Sequence, residues 1–401
     1  MKIVTLSHDS ATRWPVFDAD AEAAVIQILR DGNVSTHPVI RELERDYASF
    51  TGRSHALAHN NGTSALLAAF HSLGLQPGDE VLVPTATFWA SVLPMVWCGL
   101  VPVFCESEPE TLGIDPADMR RRISPRTKAV VMVHLWGLPC KVDEIERVCD
   151  EFDLRIIEDA SHAHGAVYQG RKCGTLGDVS VFSLQGDKLA PAGEGGILLT
   201  DHPEYHERAS CLGDITRIIE LDSPARRFAA TGMGIKTRIA PMSAALGRVS
   251  LKRLPDSNRI RNANHLWLSE RLEGLGFDCF LPPAGVSRVW FEFIIRHRDS
   301  KFDTSRFIDQ LQSLGCQVST PRYPLLHEQP FFSEGHVAKC GRYPHQLPLP
   351  DYSRASFPQT VRENQRLIKL PNFCHACPDL LEQYGVAFER AVANIASSQG
   401  R

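Results

Sequence analysis

A lysine, an aspartate and a run of small hydroxyl residues stand where apolar stretches give way to polar turns, and these are the groups best suited to chemistry. In "VFSLQGDKLAPAGEGG", Val181 to Gly196, a single lysine, Lys188, follows an apolar run and precedes a glycine cluster. A lysine just past a buried strand loses solvation, so its pKa falls and its amine becomes a usable nucleophile and base. In a solvated loop the same residue would be inert. Further upstream, "IIEDASHAHGA" sets Asp159 after the apolar "LRII". A carboxylate buried at a strand end needs a cationic partner. A pyridinium nitrogen is one such partner, because the carboxylate keeps it protonated and the ring can then accept electrons. The plainer role for Asp159 is to cap the next turn. His162 is placed to hydrogen-bond a ring oxygen or to pack beneath the ring.

A phosphate asks for backbone N–H groups at a helix start. "HNNGTSALLAAF" supplies Gly62, Thr63 and Ser64 where a strand passes into a helix, and the helix dipole favours an anion there. Ser183 can add a hydroxyl. In "PTATFWAS", Phe88 and Trp89 follow the strand "EVLVP", and either ring can stack on a flat cofactor. Phosphate cradle, stacking ring, aspartate and lysine, in this chain order and at strand ends, are the parts of a pyridoxal 5'-phosphate site. The pair Cys374 and Cys377 in "FCHAC" has no second pair to complete a structural zinc site. No metal is expected, and the two cysteines are read as small residues near a helix start.

The elements that position these groups show in the hydropathy pattern. "HALAHN" (55–60), "EVLVPT" (80–85), "VPVFCE" (101–106), "AVVMVHLWG" (129–137), "LRIIEDA" (154–160), "VSVFSL" (179–184) and "GGILLT" (195–200) read as strands. Several are apolar throughout, as strands covered on both faces are. "TSALLAAFHSLG" and "KVDEIERVCDEFD" have helical spacing. Alternating strand and helix predicts an α/β fold with a mainly parallel sheet flanked by helices, and such sheets bind ligands beyond the carboxyl ends of their strands. After about residue 250 the pattern changes to a long charged helix, a strand in "SRVWFEFIIRH" (287–297), a helix in "TSRFIDQLQSLG", ordered loop over 320–365 and a closing helix in "CPDLLEQYGVAFERAVANIA". This divides the chain into a large cofactor-binding domain, 1–250, and a small C-terminal α+β domain, 251–401.

Composition excludes several classes. Among 401 residues, 43% are apolar and 22% charged, with a formal net charge of −4, so no basic field points to nucleic acid. No apolar run reaches the roughly 18 residues of a membrane span, and the start, "MKIVTLSHDSATRWPVF", has no secretory h-region. Eleven scattered cysteines suit reduced thiols and a cytoplasmic setting.

The chain resembles the DegT/DnrJ/EryC1/StrS family of sugar aminotransferases, which have fold type I. The resemblance runs nearly end to end, from "DGNVSTHPVIRELERDYASFTG" through "GTSAL", "GDEVLVPTATFWA", "SPRTKAVVMVHLWG" and "IIEDASHAHGA" to "FSLQGDKLAPAGEGG" and "RIAPMSAALGRVSLKRL". It implies that Lys188 bonds to the cofactor and shuttles the proton, that Asp159 pairs with the ring nitrogen, and that His162 contacts the ring near its 3-oxygen. It matches Phe88 to the stacking ring and Gly62, Thr63, Ser64 and Ser183 to the phosphate binders. It implies an amino donor, glutamate or glutamine, that leaves its amine as pyridoxamine phosphate, and a keto-sugar (nucleotide-linked or free) or keto-cyclitol that takes it. It also implies a homodimer with a shared site.

Three positions depart from the family pattern. Gly186-Asp187 replaces a longer polar run before the lysine, and the acid beside Lys188 bears on its pKa. "GIKTR" (234–238) puts Lys236 where an Asn reaches the phosphate of the neighbouring subunit, a task a lysine performs as a point charge. His37 stands where small residues are common, near the entry of substrate. Relatives that dehydrate deoxysugars with pyridoxamine phosphate carry His at the lysine position. The presence of Lys188 argues against that activity, and the intact constellation argues against an inactive regulatory or binding homologue.

Overall fold

The computed structural model describes residues 2–344, 347–352 and 355–399. A seven-stranded sheet forms from β1 (His55–His59), β2 (Glu80–Pro84), β3 (Val101–Cys105), β4 (Thr127–Val133), β5 (Arg155–Asp159), β6 (Val179–Ser183) and β7 (Gly196–Thr200), in the order β1-β7-β6-β5-β4-β2-β3. Only β7 runs antiparallel to its neighbours, β1 and β6; the other pairings are parallel. β1, β2, β4, β5 and β6 therefore end along one edge, and the predicted site residues follow those ends. The strands are apolar on both faces because helices cover both. Leu57, Val81, Val131, Ile157 and Val181 face one core, and Ala58, Leu82, Val130, Ile156 and Phe182 face the other. This is the alternation that a pleated strand imposes.

The expected strands begin and end within two residues of the observed ones except for two, each cut short by four residues or more at one end. The run 129–137 leaves the sheet after Val133 and turns, with Trp136 at φ 57° and Gly137 at φ 90°. A Cβ on Gly137 would stand 2.3 Å from the Val289 carbonyl oxygen, so the turn needs glycine. In 287–297 only Phe293–His297 forms a strand of five residues. Val289, Trp290 and Phe291 are buried in irregular chain.

Phe293–His297 lies between Phe277–Asp278 and Leu367–Leu370 in a three-stranded antiparallel sheet. Helices Pro241–Gly274, Thr304–Ser313 and Pro378–Gln399 surround it. Its core holds Phe277, Phe293, Phe307, Tyr384 and Phe388, together with Val4 and Ala11 from the other end of the chain. The stretch 320–365 contains short helices at Leu326–Glu328, Pro330–Ser333, His336–Cys340 and Pro358–Gln365, with Phe332 and Phe357 packed into the core of the large sheet. Residues 345, 346, 353 and 354 of that stretch lie outside the described residues.

Candidate active site

A cleft of about 720 Å³ opens at the carboxyl edge of the large sheet. Gly62, Thr63, Phe88, Trp89, Asp159, His162, Ser183, Asp187 and Lys188 all line it. Ser64 and Lys236 do not appear in its wall. The cleft has the size of a small-molecule site.

Each polar group is set by the end of its strand. Asp159 is the last residue of β5 and is 5% exposed. Its Oδ2 accepts from Ser91 Oγ at 2.7 Å and its Oδ1 from the Ser161 N–H at 3.1 Å. Among the described residues it forms no ion pair, so a buried carboxylate is left without a cation in contact, the Lys188 charge acting on it only from a distance. Glu158, one residue earlier, points to the opposite face. It accepts from Gly174 N, Leu176 N and Ser180 Oγ at 2.6, 2.8 and 2.7 Å, with His134 Nε2 at 3.1 Å. His134, Glu158 and Cys173 lie close enough to hold an ion, but these donors already engage both Glu158 oxygens.

Lys188 is 8% exposed. Its Nζ stands 4.1 Å from the centroid of the Phe291 ring and has no hydrogen-bond or ion-pair partner among the described residues. Burial brings its pKa down from 10.5 to about 8; the Asp159 charge opposes the fall and Arg322 adds to it. Asp187, the acid that departs from the family pattern, also raises the value and pairs with Arg322 at 3.3 Å.

The helix Gly62–Ser72 begins directly after β1. Asn61 caps it, its Oδ1 accepting from the Ser64 N–H at 2.8 Å. That bond occupies Ser64 and leaves the N–H groups of Gly62 and Thr63 at the open end of the helix. A Cβ on Gly62 would lie 2.8 Å from Ser183 Cβ, so glycine lets the helix start pack against the end of β6. Backbone donors and the Ser183 hydroxyl thus share one corner.

His162 is buried between rings. Its centroid is 4.0 Å from that of Phe291, the planes 14° apart, and 5.8 Å from that of Trp136. Its Nδ1 accepts from the Trp136 N–H at 3.4 Å, and its Nε2 faces Tyr323 Oη at 3.4 Å. Burial first, then the charges of Lys188 and Arg322, hold its pKa well below the ordinary 6.5, so it is a neutral ring. Phe88 is 37% exposed at the cleft, 5.4 Å from Tyr323 centroid to centroid.

Two expected residues lie elsewhere. Lys236 is exposed, on a segment pinned to Gly213 and Asn60 by the Thr237 backbone. His37 lies outside the cleft wall and caps the helix Val39–Thr51, its Nδ1 accepting from the Val39 N–H at 3.1 Å while Nε2 pairs with Asp31 at 3.0 Å. Cys374 and Cys377 sit just before the C-terminal helix, and burial raises the pKa of both thiols. Sequence reasoning missed Ser91, Trp136, Phe291, Arg322 and Tyr323. Ser91 alone carried a signal, being a small hydroxyl residue just beyond the Phe88-Trp89 pair.

No helix among the described residues is long and apolar enough to cross a membrane. The fold is that of an aminotransferase from Psychrobacter cryohalolentis, with a TM-score of 0.83, 26% identity and coverage of 96% of this chain and 99% of that one. GDP-perosamine synthase of Caulobacter vibrioides is 35% identical over 302 residues, 75% of this chain and 79% of that protein. L-glutamine:2-deoxy-scyllo-inosose aminotransferase of Streptoalloteichus tenebrarius is 30% identical over 382 residues, 90% of this chain and 89% of that protein. Residues 15–351 match one family along their length, a family whose enzymes depend in general on pyridoxal phosphate and act on small molecules. The chain belongs to the DegT/DnrJ/EryC1/StrS aminotransferase family and is an aminotransferase of the fold type I class.

Proposed function

We propose that this enzyme uses pyridoxal phosphate to move an amino group from glutamate or glutamine to a keto-sugar or keto-cyclitol. The observation that carries the reading is the pairing, in one cleft, of a buried amine without a hydrogen-bond or ion-pair partner, Lys188, with a buried carboxylate without a cation in contact, Asp159. The residues fit the cofactor. Its phosphate would be held by the Gly62 and Thr63 N–H groups and the Ser183 hydroxyl, where the helix dipole favours an anion. Its ring nitrogen would supply the cation that Asp159 lacks, and Phe88 and His162 offer ring faces.

When bound, pyridoxal phosphate supplies an electron-accepting ring that stabilises the carbanion left as a C–H bond is broken. The chain does the rest. Asp159, fixed by Ser91 and Ser161, holds a proton on the ring nitrogen. Lys188, with a pKa near 8, is free to take and return a proton near neutral pH. Neutral His162 adds no charge beside the amine. The relatives, one named for perosamine and one for scyllo-inosose, support an acceptor of the sugar or cyclitol class.

The reading includes a homodimer. Lys236 is exposed beside Met233 and Ile235, which are 46% and 49% exposed; such an apolar surface suits a partner copy. From there Lys236 would reach the phosphate of the other subunit. The decisive experiment loads the protein with pyridoxal phosphate, reduces with borohydride and maps the labelled peptide. A label on Lys188 and, in a separate unreduced sample, return of the visible band when the amine-loaded form meets a keto-sugar or keto-cyclitol are the expected results. A label on another lysine, or no response to any acceptor of either class, overturns it.

A further inference from the structure

We propose that Trp14 is a positioning residue for Lys188, and that the N-terminal segment is a strap that fixes the backbone beneath that amine; the inference rests on the role given to Lys188 above. The Trp14 indole Nε1–H donates to the Lys188 carbonyl at 2.9 Å, across 174 positions of sequence. The Lys188 N–H bonds only locally, to the Gln185 carbonyl at 2.8 Å. Around it the loop carries Gly186, Gly193, Gly195 and Gly196. A Cβ at Gly193 would meet nothing within 4 Å, and at Gly186 only the Gly193 carbonyl oxygen at 3.9 Å. The surroundings crowd Gly195 and Gly196 but leave Gly186 and Gly193, which flank the lysine, uncrowded, and glycine backbone is slack by itself. Arg322 reaches Asp187 and Ser250 Oγ reaches the Pro191 carbonyl from outside the loop, but the Trp14 bond is the one made to the lysine's own peptide.

Trp14 is held in turn. The Arg261 guanidinium lies 4.2 Å from its ring centroid. Arg261 is 1% exposed. Its Nη1 makes one long bond, 3.4 Å, to the Trp290 carbonyl, and its Nε and Nη2 find no hydrogen-bond partner among the described residues. A buried cation with so few donors engaged depends on the ring face. Behind Trp14 the strap is tied to the small-sheet core. The Ile3 and Val4 N–H groups reach the Leu314 carbonyl at 2.8 and 2.9 Å, and the Cys374 N–H reaches the Ala11 carbonyl at 2.8 Å. Val4 and Ala11 are buried in that core. The strap therefore joins the small sheet to the lysine's own peptide.

Trp14→Phe separates the two contacts, because it keeps a ring for Arg261 and deletes the N–H donor. In protein prepared without cofactor, hydrogen exchange measured by mass spectrometry is expected to speed up in peptides covering 184–192 and to stay unchanged at Phe293–His297. In loaded enzyme, kcat is expected to fall roughly three- to tenfold, the range that one neutral hydrogen bond supplies, with KM for the keto acceptor unchanged. Arg261→Met is expected to loosen the same peptides. Wild-type exchange and kcat in Trp14→Phe overturn the proposal. A rise at 293–297 as large as that at 184–192 also overturns it, since Trp14 would then serve only general stability. If 184–192 loosens while wild-type protein takes no label at Lys188, the hold on the loop stands and the proposed function falls.

Discussion

The Lys188 ammonium sits over the face of Phe291, 4.1 Å from its centroid, with no carboxylate in contact. Burial disfavours the charge, and the ring's negative face returns part of what water gave. The same Phe291 stacks on His162. The amine is thus placed in a largely aromatic setting, with Asp159 acting on it from a distance.

That setting makes the lysine a stability cost. Below pH 8 the amine is charged in both folded and unfolded chains, and the folded chain bears the full desolvation. Between about 8 and 10.5 the unfolded chain holds more proton, so stability rises with pH. Lys188→Met should therefore stabilise cofactor-free protein at pH 7 by roughly 1–3 kcal/mol, part of the gain being offset by the lost attraction to Asp159. The advantage should shrink towards pH 10. Chemical denaturation at both pH values checks the sign, and an advantage that grows with pH contradicts it. The same variant should be inactive in amine transfer.

Phe291→Leu keeps an apolar wall but removes the ring face. The charged amine loses about 0.5–1 kcal/mol of attraction, so the pKa of Lys188 should drop further by about half a unit. Reductive ¹³C-methylation and an NMR titration of the cofactor-free protein would read it. An unchanged or higher pKa would mean that the ring contributes nothing to the charge.

Asp159→Asn should still take up cofactor yet lose at least about a hundredfold in rate, since a neutral amide cannot hold the ring nitrogen protonated. Ser91→Ala should cost less, about three- to tenfold, because Asp159 keeps its charge and the Ser161 N–H. Stopped-flow half-reactions would rank the two. Near-normal rates in Asp159→Asn would leave that residue a turn cap.

The legible part of this site was the part that strand ends dictate. Asp159 closes β5, Ser183 closes β6, and Gly62 opens the helix after β1, so apolar runs and their polar ends located all three. Phe291, Arg322 and Tyr323 come from chain more than a hundred residues beyond Lys188, and no local pattern announces what they face. Apolar runs also misled where burial comes from tertiary packing and not from a sheet. Leu135 and Trp136 are 4% and 3% exposed yet lie past the end of β4, and Val289 and Trp290 are as buried without pairing. Hydropathy reports burial, not hydrogen-bonding partner, and in such runs the two differ.

Lys236 gives the sharpest test of the proposed shared site. It is exposed and absent from the wall of its own cleft, so a direct contact with the cofactor would have to come from another copy. Lys236→Ala alone should weaken cofactor binding, because a charge near the phosphate is lost. Mixing it with Lys188→Ala lets dimers reassort. In a mixed dimer, one site combines both lesions. The other takes Lys188 from one chain and Lys236 from its partner, and so carries neither. At equal amounts half the dimers are mixed, so about a quarter of wild-type activity should appear from two weak or dead parents if the contact is isologous. Native mass spectrometry would confirm that mixed dimers formed. If they form and no activity returns, or if Lys236→Ala alone binds cofactor and turns over normally, Lys236 does not serve the partner's phosphate.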